Sequence, residues 1–149
     1  MTDSTCLIAL EGIGRLDILP AVYEEVIAPP AVQAEVDTEI EWLVTKKLTN
    51  PAVSMALQPQ LGKGEAAAIA LATEMSDIVV VLDDKKARRV ARQMGLEIVG
   101  TLGTLLRAKR QGIIVEIQPI LEELKRVGFR CSPSIYDEVL RLSGEEAPR

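Results

Sequence analysis

The chain has 149 residues, 48% of them hydrophobic but only 3% aromatic, and a net charge of −5 at pH 7. That supports one aliphatic core and argues against broad electrostatic coating of nucleic acid. The absence of histidine excludes imidazole acid–base chemistry and His ligation of metals. The two cysteines, Cys6 and Cys131, form no disulfide framework or zinc spacing and read as thiols of a reducing cytoplasm. No apolar run approaches the roughly 18 residues of a membrane span. No basic segment leads into an apolar stretch as in a signal peptide, so a cytoplasmic location is expected.

In chain order, Leu7, Ile8, Leu10 and Ile13 recur at helical spacing, which predicts a helix over 5–13 capped by Ser4 or Thr5. A second short helix is expected over 15–22, then a buried strand at Val26-Ile27-Ala28 that stops at Pro29-Pro30. The next helix carries Val32, Val36 and Ile40 on one face. Trp42-Leu43-Val44 is open between a helix end and an extended edge, and Asn50-Pro51 marks a turn. Gly62-Lys63-Gly64-Glu65 opens a helix whose Ala66–Ala72 stretch is small and apolar all round, hence buried. Ile78–Leu82 reads as a strand buried on both faces, and Asp83-Asp84 end it. A helix over 85–94 follows with Lys85, Lys86, Arg88, Arg89 and Arg92 outward, and Gly95 ends it. A strand at Ile98-Val99 leads to a helix from Gly100-Thr101. Ile113–Ile117 is extended or a connection, and helices are expected over 119–127 and from Ser132-Pro133 to about Leu142. The alternation predicts an α/β fold with a mostly parallel sheet, in one domain over 1–144 with a loose tail over 145–149.

In such sheets ligands bind beyond the carboxyl ends of the strands. Asp3, Glu65 and the Asp83-Asp84 pair all stand at element ends. Converging carboxylates without His or Cys select a hard divalent cation, Mg2+ or Mn2+. Such ions can activate water against a phosphodiester, and the 85–92 cations could hold flanking phosphates. The same residues also fit plainer roles. Asp3 and Asp83-Asp84 suit helix caps, Glu65 complements a helix dipole, and the cations of 85–92 suit a solvated face. Gly62-x-Gly64 is too short for a phosphate loop, which disfavours a nucleotide-regulated protein.

The chain resembles the PIN-domain nucleases, specifically the DUF3368 group. The resemblance runs through Asp3-Ser-Thr-Cys-Leu-Ile-Ala-Leu, Val26-Ile-Ala-Pro-Pro-Ala-Val, Leu61-Gly-Lys-Gly-Glu-Ala-Ala-Ala, Val81-Leu-Asp-Asp-Lys-Lys-Ala-Arg-Arg and Gly100-Thr-Leu-Gly-Thr-Leu-Leu. Val127-Gly-Phe-Arg and Ser134-Ile-Tyr-Asp-Glu-Val-Leu also fit. It implies a PIN-like domain and a Mg2+- or Mn2+-dependent ribonuclease, often the toxin of a toxin–antitoxin pair. By position, Asp3, Glu65 and Asp84 correspond to the catalytic metal carboxylates, with Asp83 beside them supporting the metal or its waters. Lys85, Lys86 and Arg89 would steer single-stranded RNA.

The chain departs from the family pattern in three places. Only Met1 and Thr2 precede Asp3 where relatives have several apolar residues, so the first strand reads as truncated and Asp3 as frayed. Cys6 replaces a common proline. Lys86 and Thr101 stand where a fourth acid is often found. Two function classes follow: an endoribonuclease, or a catalytically weakened PIN-fold binding or assembly protein. The resemblance also implies a small antitoxin partner and a homodimer, with the helix faces near 15–22 and 32–43 as candidate surfaces.

Overall fold

Short stretches built on β-branched and aliphatic residues become the strands of the chain. In the computed structural model, which describes residues 1–145, β1 spans Val26–Ala28, β2 Leu43–Thr45, β3 Val79–Val81 and β4 Glu97–Val99. β1 pairs in parallel with β2, Ile27 opposite Val44, and β3 with β4, Val80 opposite Ile98. The helices are α1 (Ser4–Gly12), α2 (Ile18–Val22), α3 (Pro30–Glu35), α4 (Ala52–Leu57), α5 (Lys63–Thr73), α6 (Lys85–Gln93), α7 (Thr101–Arg110), α8 (Gln118–Arg126) and α9 (Pro133–Ser143). The fold is mixed α/β with short parallel strands, as the alternation predicts. No helix among the described residues is long and apolar enough to cross a membrane.

The chain divides into two compact groups of elements. One comprises Met1–Ile8 and Glu25–Thr101, the other Ala9–Glu24 and the chain from Leu102 onward.

In the first group the opening residues correct the expectation of a frayed Asp3. Val81 N–H donates to Met1 O at 2.8 Å, and Asp3 N–H to Val81 O at 3.3 Å. The Met1 nitrogen donates to Val79 O at 3.0 Å, and Thr2 bridges Val81 in parallel. On the other side Thr2 N–H donates to Ile27 O at 3.0 Å. Met1, Thr2 and Asp3 thus join the β1–β2 pair to the β3–β4 pair, and Thr2 and Asp3 are 0% and 1% exposed. Strand length alone gave the wrong expectation, because a segment with neighbours on both sides draws its ladder from both.

Helix α5 runs beneath this sheet, packed against α3, α4, α6 and β3. Gly64 and Ala66–Ala72 are all buried, which a helix of small side chains permits at close range. Two elements differ from expectation. Helix α3 stops at Glu35, and Val36 is extended (φ −107°, ψ 125°). Asp37 and Thr38 favour turns over helix, yet Val36 and Ile40 remain buried. Helix α4 was not anticipated; Asn50 Oδ1 accepts from Ala52 N–H at 2.9 Å and starts it behind Pro51. Of Trp42-Leu43-Val44, Trp42 lies in the turn before β2, and Leu43 and Val44 take the extended alternative as its first two residues.

The second group is built on an aliphatic core of Ile18, Leu105, Ala108, Ile117, Leu121, Leu124 and Leu140. Ile113–Ile117 is a connection, with Ile114 and Ile117 buried. Ser132 caps α9 through Ile135 N–H. Residues 146–149, most of the tail expected to be loose, lie outside the described residues. Glu145 is tied down: its carboxylate accepts from Ile117 N–H at 2.8 Å, Gln118 N–H at 3.2 Å and Lys109 Nζ at 2.6 Å. The helix faces expected as dimer surfaces are corrected as well. Ile18, Leu19, Val32, Val36 and Ile40 are all buried, so these apolar stripes serve the chain's own interior.

Candidate functional site

Within the first group of elements, four carboxylates each stand at the start of a helix. There the unpaired backbone N–H groups and the positive end of the helix dipole favour an anion. Asp3 Oδ1 accepts from Cys6 N–H in the first turn of α1 at 3.3 Å. Glu65, in the first turn of α5, reaches back so that Oε1 accepts from Gly62 N–H at 3.2 Å. Asp84 is the N-cap of α6, and its Oδ2 accepts from Ala87 N–H at 3.0 Å. Asp83 ends the β3 segment and spans to α7: Oδ1 accepts from Thr101 N–H at 2.8 Å and Oδ2 from the Thr101 hydroxyl at 2.6 Å.

The caps expected of Asp3 and Asp84 and the first-turn placement expected of Glu65 are therefore present, and each of these three bonds occupies one oxygen only. Asp3 Oδ2 is buried with no hydrogen-bond partner. A buried carboxylate oxygen left so costs several kcal/mol unless it takes up a proton or a cation, by order of magnitude. Burial, first, and then the negative charges of Asp83, Glu65 and Glu35 push the Asp3 carboxyl up to about 8, against the pull of the Cys6 N–H bond. Glu65 is raised by burial and by Asp84 and Glu35, against its bond to Gly62. Among the described residues, none of Asp3, Glu35, Glu65, Asp83 and Asp84 forms an ion pair with a Lys or Arg.

Glu35 is the acid that the sequence reading missed. It lies at the last residue of α3, exposed, and Oε2 accepts from the Ser4 hydroxyl at 3.0 Å. Its other oxygen lies over Gly64, where an added Cβ would stand 2.0 Å from Oε1. A glycine at 64 is thus what lets this carboxylate approach the start of α5. The available signal was the position of α3 directly after β1, at the carboxyl end of a parallel strand. Glu35 has no capping pattern to mark it.

Lys85, Lys86 and Arg89 are exposed on α6, beside the helix start that Asp84 caps. Arg88 turns back instead, with Nη1 donating to Leu82 O at 3.4 Å. Cys6 is fully buried, its thiol pushed up by burial despite hydrogen bonds with Thr101 and Thr2. Cys131 is partly buried, and both cysteines are free thiols.

The side chains suit a hard divalent cation in kind: oxygen donors only, a partnerless buried carboxylate oxygen, and mutual repulsion that a cation would relieve. As they are placed, no three acidic or thiol groups among the described residues stand close enough to enclose an ion.

The profile of the DUF3368 family, described as a PIN domain, matches residues 1–145. No curated protein and no solved structure shows a significant match. PIN domains are in general nucleases and typically use divalent metal ions. With the match covering nearly all of its 149 residues, the chain belongs to the DUF3368 family of PIN domains.

Proposed function

We propose that this chain is a Mg2+- or Mn2+-dependent endoribonuclease, the toxin of a toxin–antitoxin pair, hydrolysing phosphodiester bonds of single-stranded RNA. The observation that carries the reading is the partnerless, buried Oδ2 of Asp3 within electrostatic reach of Glu35, Glu65 and Asp83, in a chain of a nuclease family.

In this reading Asp3, Glu65 and Asp84 hold the cation through the oxygens that their caps leave free. Glu35 joins them from α3, and Asp83 supports the set. When bound, such a cation supplies the charge stabilisation and water activation that phosphodiester hydrolysis requires. The protein's own part is positional. Four caps anchor the carboxylates at helix starts, and binding would draw the free oxygens of Asp3, Glu65 and Asp84 together around the ion. Lys85, Lys86 and Arg89 project from α6 to bind phosphates on either side of the scissile one. A small antitoxin and a homodimer complete the expected partners.

A panel of structured and single-stranded RNAs, incubated with Mg2+ or Mn2+, tests the reading. Wild type is expected to cleave single-stranded segments, and Asp84→Asn to lose about 100-fold or more. Cleavage unchanged by Asp84→Asn would contradict it. The second reading, a weakened PIN-fold binding or assembly protein, is favoured by the lack of a ready-made three-acid cluster among the described residues. No heat of Mn2+ binding at millimolar metal would favour it.

A further inference from the structure

The four capping carboxylates are not equivalent. Asp3, Glu65 and Asp84 each give one oxygen to a backbone N–H. Asp83 alone has both oxygens engaged, and by one residue, Thr101. Thr101 is fully buried and opens α7, a helix of ten residues. Its N–H is among the amides at that helix start that have no intrahelical acceptor, and its hydroxyl bond at 2.6 Å is short, as charge-assisted bonds are.

The neighbouring residue enforces the arrangement. A Cβ on Gly100 would stand 3.0 Å from Asp83 Oδ1 and 2.8 Å from Arg88 Nη1. A side chain here would push against both. Arg88 in turn is anchored on Leu82 O, immediately before Asp83. The ends of β3 and β4 are thus pinned through a small polar set: Asp83, Arg88, Gly100 and Thr101.

We propose that Thr101 is a positioning residue, and that its two bonds make Asp83 a fixed orienting anion beside Asp3 rather than a group that closes on a cation. The proposal rests on the nuclease reading for its consequence, since the site that Asp83 orients is the one assigned there. It divides the Asp83-Asp84 pair. Asp84 keeps a free oxygen for a ligand, while Asp83 holds the ends of β3 and β4 in register behind it. It also accounts for a threonine at a position where a further acid would repel Asp83.

The test compares Thr101→Val, Thr101→Ser, Asp83→Asn and Asp84→Asn in the full chain, with melting curves to show that each is folded. Three-bond couplings across the Asp83 Cα–Cβ bond, read by NMR without metal or RNA, are expected to show one rotamer in wild type. Averaging is expected in Thr101→Val, and Thr101→Ser is expected to restore the single rotamer. Calorimetry with Mn2+ alone is expected to show a loss of about tenfold or more in Asp84→Asn and of less than about threefold in Asp83→Asn. A single rotamer retained in Thr101→Val overturns the proposal, as does an Asp83→Asn variant that loses as much Mn2+ affinity as Asp84→Asn. A wild type that neither binds Mn2+ nor cleaves RNA overturns the nuclease reading instead. The rotamer comparison needs neither metal nor substrate and decides on Thr101 either way.

Discussion

Asp3 carries the largest unrelieved electrostatic cost in the site, and its consequences are measurable residue by residue. Its carboxyl is raised from 3.8 to about 8, so between those values the folded chain binds a proton that the unfolded chain has lost. Stability contributed by that proton is full below the unfolded value and is lost as pH rises through the folded one. Glu65 is raised too and acts in the same direction. Burial lowers the Met1 ammonium to about 6, which acts oppositely only at and above that pH. In metal chelator, the melting temperature is therefore expected to fall between about pH 5 and about pH 6; a rise across that window would contradict the burial of Asp3. Glu35 makes a second prediction. Gly64→Ala places a Cβ against the end of this exposed, flexible side chain and should displace the Glu35 carboxylate, weakening Mn2+ binding at little cost in melting temperature. A chain whose Mn2+ affinity is unchanged by Gly64→Ala would remove Glu35 from the site.

At the scale of elements, what holds Asp3 is a single β-bridge at Thr2, with Met1 and Asp3 bonded to β3 on either side of it. Thr2 N–H to Ile27 O is the bond that ties it to β1. Thr2→Pro removes that donor and leaves the Ile27 carbonyl short of a partner, at a cost of about 1–3 kcal/mol. Chemical denaturation measures the loss, and the protected amide of Asp3, donating to Val81 O, should exchange faster. This segment was the hardest to read from the chain, because periodicity needs four or more residues and so short a stretch gives none. By contrast, the strand ending in Asp83-Asp84 and the Gly62–Ala72 helix were legible. Each joins an unbroken apolar run to a polar cap, and local chemistry sets both. Helix α3 was read too long because Val32, Val36 and Ile40 keep helical spacing, although only Val32 is buried from within a helix. Glu35 went unread for a related reason. Its role arises from a contact with Ser4, 31 positions away, and from the lack of a side chain at Gly64.

Across the whole molecule, the caps that stabilise the fold and the groups that would bind a cation are largely the same side chains. That is why the plain and the functional readings of Asp3, Glu65 and Asp84 could not be separated from the sequence: both require a carboxylate at a helix start, and a carboxylate has two oxygens. A purely structural cap elsewhere offers the contrast. Glu145 spends both oxygens on the start of α8 and on Lys109. Burial raises its carboxyl, but the Ile117 and Gln118 N–H bonds and the Lys109 ammonium outweigh it and hold it below its ordinary value. Its contribution is present at neutral pH and is lost as pH falls through the depressed value. Glu145→Ala should cost about 1–3 kcal/mol at neutral pH, read by denaturant titration, and leave Mn2+ affinity untouched.

The central claim is that the free oxygens at these helix starts form one cation site. Isothermal titration of the chain with Mn2+ tests it most directly, in wild type and in Asp3→Asn, Glu35→Gln and Asp84→Asn. The account predicts a binding heat in wild type, weakened about tenfold or more by each substitution. It also predicts proton release near neutral pH, as the raised Asp3 carboxyl gives up its proton to the metal. Binding that is indifferent to all three substitutions, or no binding at millimolar Mn2+, would contradict it.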